Sequence, residues 1–250
     1  MSGARGFLGA GDLYIARQVG GVYLPYEGPF EATKFEIKPN VDIKEQVSKG
    51  RETYGQVIET VAIPKPAQLT VDLAEVNKTS LALALLGTVA ALTQASGTLT
   101  DEVVVAKLDA WAPLTKAALT GAQVVTNSAA TVTYVDGVDY IVNKQLGWIK
   151  ALSTGSITAD QSLRVDSAYA AITGSEIKGQ TQTQIRARFK LDGKNFADDG
   201  PVIVTVHEGV IAADAAFDFL ASDFNTVSLP GRMKTPVGFL EPFTVHLRDA

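Results

Sequence analysis

The feature that most constrains this chain is a long stretch of alternating apolar and polar residues, from Lys34 to Ser48. Strict alternation is typical of a β-strand, because successive side chains of a strand point to opposite faces. Strands average about 5 or 6 residues, so we expect this strand to be too long for its own domain to cover. Its predicted apolar face consists of Phe35, Ile37, Val41, Ile43 and Val47.

A second alternating segment follows and predicts a long β-hairpin over about 30–73. Alternation returns after Gly50 and Gly55, and Pro64 and Pro66 interrupt it. Since proline cannot donate a ladder hydrogen bond, we expect that part of the return strand at an edge or a bulge. An apolar face on a projecting ribbon needs a partner, which predicts self-association. The apolar residues of the return strand are Val57, Val61, Ile63, Leu69, Val71 and Leu73.

The predicted tip of this hairpin is charged and flanked by glycines. We expect it to be mobile in the isolated chain and to become ordered on a neighbouring copy. The residues assigned to this tip are Gln46, Lys49, Arg51, Glu52 and Tyr54.

The rest of the chain predicts a mainly-β protein with one helix, at about 78–86. Asn77 or Thr79 can cap the start of the helix, and Gly87 suits the C′ position after its end. Further strands are predicted at 98–111, 124–125, 131–134, 140–142, 147–152, 162–169, 185–191, 202–206, 227–233 and 239–247. We therefore predict a β-sandwich core over 1–117 and 177–250, with a short flanking helix, the projecting hairpin and a β-rich insertion or second lobe over 118–176.

The N-terminal segment is rich in glycine and shows little periodicity. Gly6, Gly9 and Gly11 resemble a phosphate-binding loop only superficially, because no apolar strand precedes them and Asp12 follows in place of a lysine. We instead predict an N-terminal arm over Ser2 to Asp12 that is poorly ordered in the free subunit and docks on a neighbour.

The sequence offers little catalytic chemistry. The absence of Cys excludes disulfides, thiolate metal ligands and cysteine nucleophiles. His207 and His246 lack metal-binding spacing, and Asp198 and Asp199 suit a turn better than an acid–base pair. The formal net charge is −5 with dispersed basic residues, which argues against ordinary binding of a phosphate backbone. We predict no catalytic, cofactor-binding or metal-binding residue, and a soluble protein made in a cytoplasm.

Three pieces of the chain, in their order, resemble the tail tube, or major tail, proteins of long-tailed bacteriophages. The first is the hairpin over about 30–73, whose return strand leads directly into NKTSLALALLG. The second is VDGVDYIVNKQLGWIKALSTGSITADQSLRVDSAYA, where an Asp-Tyr strand and a Gly-x-Ile strand precede a Gly-Ser-Ile turn. The third is the late hairpin followed by SDFNTVSLPG.

This resemblance implies a structural virion protein of the tail, made in the host bacterial cytoplasm. Hexameric rings of the chain would stack into a hollow tube, and the hairpin tip would be the ring-stacking element. Other tail proteins would lie at the ends of the tube, with no membrane partner. DNA would pass through the lumen without specific binding. The alternative is a β-sandwich adhesin or carbohydrate-binding module, in which Trp111, Trp148 and the seven Tyr would stack on sugars.

Overall fold

A computed structural model describes residues 6–212 and 216–247 of the chain. Strands dominate these residues and only one short helix is present among them, so the predicted mainly-β fold is confirmed. The chain divides into two compact units, one formed by residues 1–89 and 177–250 and the other by residues 90–176.

The elements follow one another along the chain without a repeating pattern. Their bounds, in chain order, are β1 (Gly9–Val19), β2 (Val22–Tyr23), β3 (Glu27–Phe30), β4 (Ala32–Val47), β5 (Val57–Leu73), α1 (Lys78–Ala84), β6 (Thr88–Gln94), β7 (Gly97–Val105), β8 (Trp111–Pro113), β9 (Leu119–Asn127), β10 (Thr133–Tyr134), β11 (Tyr140–Asn143), β12 (Trp148–Ala151), β13 (Ser162–Tyr169), β14 (Ile172–Lys178), β15 (Ile185–Asn195), β16 (Pro201–Ile211), β17 (Val227–Met233) and β18 (Phe243–Leu247).

The first unit is formed around one nine-stranded sheet in the order β2-β1-β15-β16-β17-β5-β4, with β3 also beside β1 and β18 beside β16. Neighbouring strands are antiparallel. Side chains from strands across the sheet, with Leu83 of α1, form a single buried cluster, which is the core of this unit. Its largest fully buried members are Phe189, Leu13, Leu69, Leu73, Leu83, Ile185, Ile211, Leu229 and Val71.

Both ends of the helix are capped by local hydrogen bonds. The Asn77 side chain accepts the backbone N–H of Ser80 at 2.9 Å, and Ser80 Oγ accepts the backbone N–H of Asn77, which forms a capping box. At the C-terminus the left-handed residue is Leu86, with φ 47°, so the predicted C′ position at Gly87 was wrong by one residue. Gly87 is required by packing instead, because a Cβ there would lie 2.6 Å from the carbonyl oxygen of Lys178.

The structure corrects the prediction of an N-terminal arm. Gly9, Gly11 and Asp12 lie in β1 and pair with β15. A Cβ at Gly11 would lie 2.5 Å from the carbonyl oxygen of Asp192, so this glycine permits a close approach of two backbones rather than flexibility. Gly6 precedes the strand, and its carbonyl accepts a hydrogen bond from the Asn195 side chain at 3.3 Å. Residues 1–5 lie outside the described part of the chain.

The second unit has its own core. Its strands form a four-stranded sheet in the order β10-β9-β13-β7 and a three-stranded sheet in the order β11-β12-β8, while β6 and β14 pair as a separate ribbon. The sequence assigned 98–111 to the first unit, whereas β7 pairs with β13, and this unit therefore begins at 90 rather than 118. The buried cluster includes Tyr140, Val125, Leu163, Val165, Ile149 and Ile157.

Candidate functional site: the projecting hairpin

The hairpin of β4 and β5 has a buried base. Phe35 lies opposite Val71 and Ile37 lies opposite Leu69, and these side chains belong to or pack on the core of the first unit. Here β5 also pairs with β17, and the last residue pair between them joins Arg232 to Gln68. In the base, β5 therefore has a hydrogen-bonded strand on each side, β4 and β17.

An irregularity separates this base from the projecting part. The register shifts between Lys38 and Asn40, where Pro66 and Ala67 of β5 face the single residue Pro39 of β4. One extra residue on one strand is a β-bulge, and proline suits it because no ladder N–H is needed there. The expectation of a bulge near Pro64 and Pro66 is thus confirmed at Pro66.

Beyond the bulge the two faces of the hairpin differ in chemistry. On the first face, Val41 and Ile43 lie opposite Pro64 and Ala62. Directly opposed residues of an antiparallel pair point the same way, so this mostly apolar face also carries one polar pair, Glu45 with Thr60.

The second face mixes apolar and charged side chains. Ile63 lies opposite Asp42, and Val61 lies opposite Lys44. Because of the bulge, Ile63 and Val61 lie on this second face and not on the first face with Ile43. Asp42 forms ion pairs with Lys44 and Lys65, each at 3.3 Å, and such exposed pairs stabilise a fold only slightly.

The projecting ribbon leaves its large apolar side chains in solvent. Outside the base, β4 and β5 pair only with each other among the described residues. From Asn40 to Val47 the ribbon extends roughly 25 Å at about 3.3 Å per residue. A lone two-stranded ribbon is marginally stable in water. The side chains left between 46% and 62% exposed are Val41, Ile43, Val47, Val57, Ile58, Val61 and Ile63.

The tip of the hairpin is a closed turn. The Ser48 and Thr53 hydroxyls lie 2.7 Å apart, and the backbone N–H of Gly55 donates to the carbonyl of Ser48 at 3.0 Å. Tyr54 points outward with 78% of its surface exposed. The structure brings together the predicted tip residues Lys49, Arg51, Glu52 and Tyr54, whereas Gln46 lies in β4 opposite Glu59.

A second set of exposed apolar side chains lies on two irregular segments, 216–226 and 234–242. Phe219 packs edge-on against the Phe217 ring, with ring centroids 4.8 Å apart. Sequence reasoning missed this set because segment 216–226 has no periodic pattern and 239–247 was predicted as one strand, whereas β18 begins only at Phe243. The sequence feature that could have indicated this set is the number of large apolar residues placed among turn-forming residues in both segments. The set, with exposed fractions of 70% to 106%, consists of Phe219, Leu220, Phe224, Val237 and Leu240.

The two histidines lie in strands of the first unit. His207 stacks on Phe239 with ring centroids 4.1 Å apart, and His246 lies in β18 opposite Ile203. In the described ranges, no three His, Asp or Glu side chains are placed to hold a metal ion. No helix among the same residues is long and apolar enough to cross a membrane.

One buried carboxylate, that of Glu208, lies in the first unit. Its Oε1 is 3.2 Å from the Arg186 guanidinium and 3.6 Å from the Lys234 ammonium. Burial raises the pKa of the nearby Tyr23 hydroxyl, and the negative charge of Glu208 raises it further. The Tyr23 ring also lies 3.9 Å below the Arg188 guanidinium. This set of charges is paired internally and presents no open acid–base pair.

Comparison with known proteins places the chain in a family. The model of the family described as "Protein of unknown function UCP028589" matches residues 6–234, and the chain belongs to this family. No curated protein matches the sequence.

Proposed function

We propose that this chain is the tube subunit of a long-tailed bacteriophage tail, a non-enzymatic virion protein that assembles into stacked rings. The observation that carries the proposal is the projecting hairpin, which leaves seven large apolar side chains about half exposed. Exposed apolar surface of this extent on an ordered ribbon is stabilised when another chain covers it. A second copy of the same chain is the partner that a tube requires.

The irregular segments 216–226 and 234–242 support self-association independently. Their five large apolar side chains are at least 70% exposed. Segment 234–242 leaves β17 after Met233, close to Gln68, where the hairpin leaves the main sheet. We infer that this segment and the hairpin contribute to one assembly surface.

The charge of the chain is consistent with passive passage of DNA through such a tube. Six copies with a formal net charge of −5 each carry −30. A conduit must let a polyanion slide, and extensive Lys or Arg contacts to phosphates would hold it. We propose that part of the acidic excess lines the lumen.

Electron microscopy and sedimentation of the purified full chain test this function. We expect rings or tubes that increase with protein concentration. A chain that remains monomeric at high concentration under all salt conditions, with no rings in virions, would overturn the proposal.

A shortened hairpin sharpens the test. Replacing residues 49–55 by Asn-Gly preserves the pairing of Ser48 with Gln56 and supplies a compatible two-residue turn. We expect this variant to fold normally but to stop tube growth, because the tip is the predicted stacking element. A matched control, Val138→Lys, adds a charge at a side chain that is 58% exposed in the second unit.

A further inference from the structure

The two tryptophans of this chain lie on the same outward face of the three-stranded sheet in the second unit. Trp111 of β8 lies opposite Lys150 of β12, and Pro113 lies opposite Trp148. Directly opposed residues share a face, as do residues two apart on one strand. These four side chains are therefore neighbours, with the tryptophans in diagonal positions.

The indole rings are not part of the core beneath them. Trp111 is 40% exposed and Trp148 is 38% exposed, whereas the intervening residues Ala112 and Ile149 are buried. Strand β12 has a paired neighbour on each side, so the face is the surface of a sheet and not an edge. Ile141 of β11 lies opposite Lys150 and belongs to the same face. We call the face formed by Trp111, Pro113, Ile141, Asn143, Trp148 and Lys150 the tryptophan face.

Polar groups flank the two rings. Asn143 of β11 lies opposite Trp148, on the other side of β12 from Pro113. The ammonium of Lys150 lies 5.2 Å from the centroid of the Trp111 ring. The surface thus combines two flat apolar rings with an amide and a cation, and both polar groups can donate hydrogen bonds.

The size of the tryptophan face argues against a stable protein partner. Three strands about 4.8 Å apart, with three or four residues each, give a surface on the order of 100 Å². Stable protein interfaces bury about 800 Å² on each partner. A sugar ring matches the smaller surface, since a pyranose presents an apolar C–H face and a rim of hydroxyls.

Charge argues against a nucleic-acid strand stacking on the same rings. The second unit, residues 90–176, contains five basic and eight acidic residues, a net charge of −3. Proteins that stack bases of single-stranded nucleic acid do so in positively charged grooves. An uncharged polyhydroxylated ligand is free of this repulsion.

We propose that the tryptophan face is a binding site for pyranose units of a polysaccharide. Trp111 and Trp148 stack on the C–H faces of two sugar units, and Asn143 and Lys150 bind hydroxyl groups. Diagonal neighbours across a strand pair lie about 7–8 Å apart, which favours successive units of a chain over one isolated sugar. Binding requires the Lys150 ammonium to move off the Trp111 ring. This site does not depend on the tube proposal.

Tryptophan fluorescence tests the site directly, because both tryptophans of the chain belong to it. The full chain is titrated with soluble oligosaccharides of glucose, galactose and N-acetylglucosamine. We expect one of these to change the emission, and Trp111→Ala and Trp148→Ala each to weaken its binding, measured by calorimetry, about tenfold. Val138→Ala, at an exposed position of the same unit, is expected to bind normally. Absence of binding to every sugar at concentrations on the order of 1 mM, or binding unchanged in both tryptophan variants, would overturn the proposal.

Acrylamide quenching separates a sugar site from a subunit contact. We expect equal quenching of both tryptophans in the dispersed and the assembled protein, because a glycan site has to stay open. Protection on assembly would show that another subunit covers the tryptophan face and would overturn the sugar site while supporting self-association. If the chain does not assemble, the fluorescence titration with oligosaccharides is sufficient to test the sugar site.

Discussion

Asp42 lies directly opposite Ile63 on the projecting hairpin, so a carboxylate and a large apolar side chain share one face. This pairing results from the bulge at Pro66, which shifts the return strand by one residue relative to its partner. Without the shift, Ile63 would lie on the same side as Ile43. The ribbon consequently has exposed apolar side chains on both faces, and a partner that covers one face leaves the other in solvent.

The first prediction is that both faces of the hairpin are covered during assembly. Ile43→Lys and Ile63→Lys each place a charge on one face, at positions that are 57% and 46% exposed. We expect either variant to block tube formation in sedimentation and microscopy, because burying the new ammonium group in the contact removes its hydration, which Asp42 opposite position 63 offsets only in part. Monomer stability should change by less than about 0.5 kcal/mol. Val138→Lys serves as the control, and normal tubes formed by Ile63→Lys would restrict the contact to the first face.

The hairpin also shows which parts of the fold were predictable. Alternation and the Asn77 cap are local signals, and they located both strands and the start of the helix. The exposed assembly surface depends on Pro66, where the sequence indicated a bulge but not which face Val61 and Ile63 would take afterwards. A one-residue shift reverses every side chain beyond it, which periodicity alone does not reveal.

Contacts between distant segments were harder to predict. The strand containing Val104 was assigned to the first unit because its partner β13 lies more than 50 residues further along the chain. Likewise, the shared face of Trp111 and Trp148 depends on the register of β8 against β12, which no local motif encodes.

The second prediction concerns the start of β1. Gly11→Ala should lower the free energy of unfolding by about 1–3 kcal/mol, because the new Cβ would meet the backbone of Asp192 at 2.5 Å. Gly6→Ala is the matched control, since no atom lies within 4 Å of a Cβ there. Both are compared by urea unfolding. Equal stability of the two variants would show that β1 does not hold this close approach in solution.

The third prediction concerns the buried carboxylate of Glu208. Glu208→Gln should destabilise the first unit by about 1–3 kcal/mol, because it removes the negative charge between Arg186 and Lys234. The exposed pair of Asp199 with Lys194 provides a control, and Asp199→Asn should cost less than about 0.5 kcal/mol. Denaturant unfolding measures both. An equally small effect of the two substitutions would remove any structural role from the buried charge.

The fourth prediction is a dependence of the second unit on pH. Hydrogen bonds from the backbone N–H groups of Val135 and Ser156 lower the pKa of Asp139 below that of a free aspartate. A lowered pKa in the folded state contributes stability that is present above the unfolded-state pKa and is lost as the pH falls through the folded-state pKa. Thermal unfolding should therefore show acid destabilisation that is smaller in Asp139→Asn than in the natural chain. The control is Asp136→Asn, at an exposed neighbouring position, and it should show the same acid destabilisation as the natural chain. If Asp139→Asn also had the same pH profile as the natural chain, Asp139 would not be the source of this dependence.

The last prediction is that assembled tubes do not hold duplex DNA. The chain has 27 acidic and 22 basic residues, and a lumen that takes part of this acidic excess repels a polyanion. We expect labelled duplex to remain in the supernatant when tubes are sedimented at about 0.15 M salt. Dispersed subunits under the same conditions provide the control for binding to the outer surface, where the acidic excess would only improve solubility. Retention of duplex by tubes but not by subunits, decreasing steeply with added salt, would indicate a lumen dominated by Lys and Arg and would contradict passive passage.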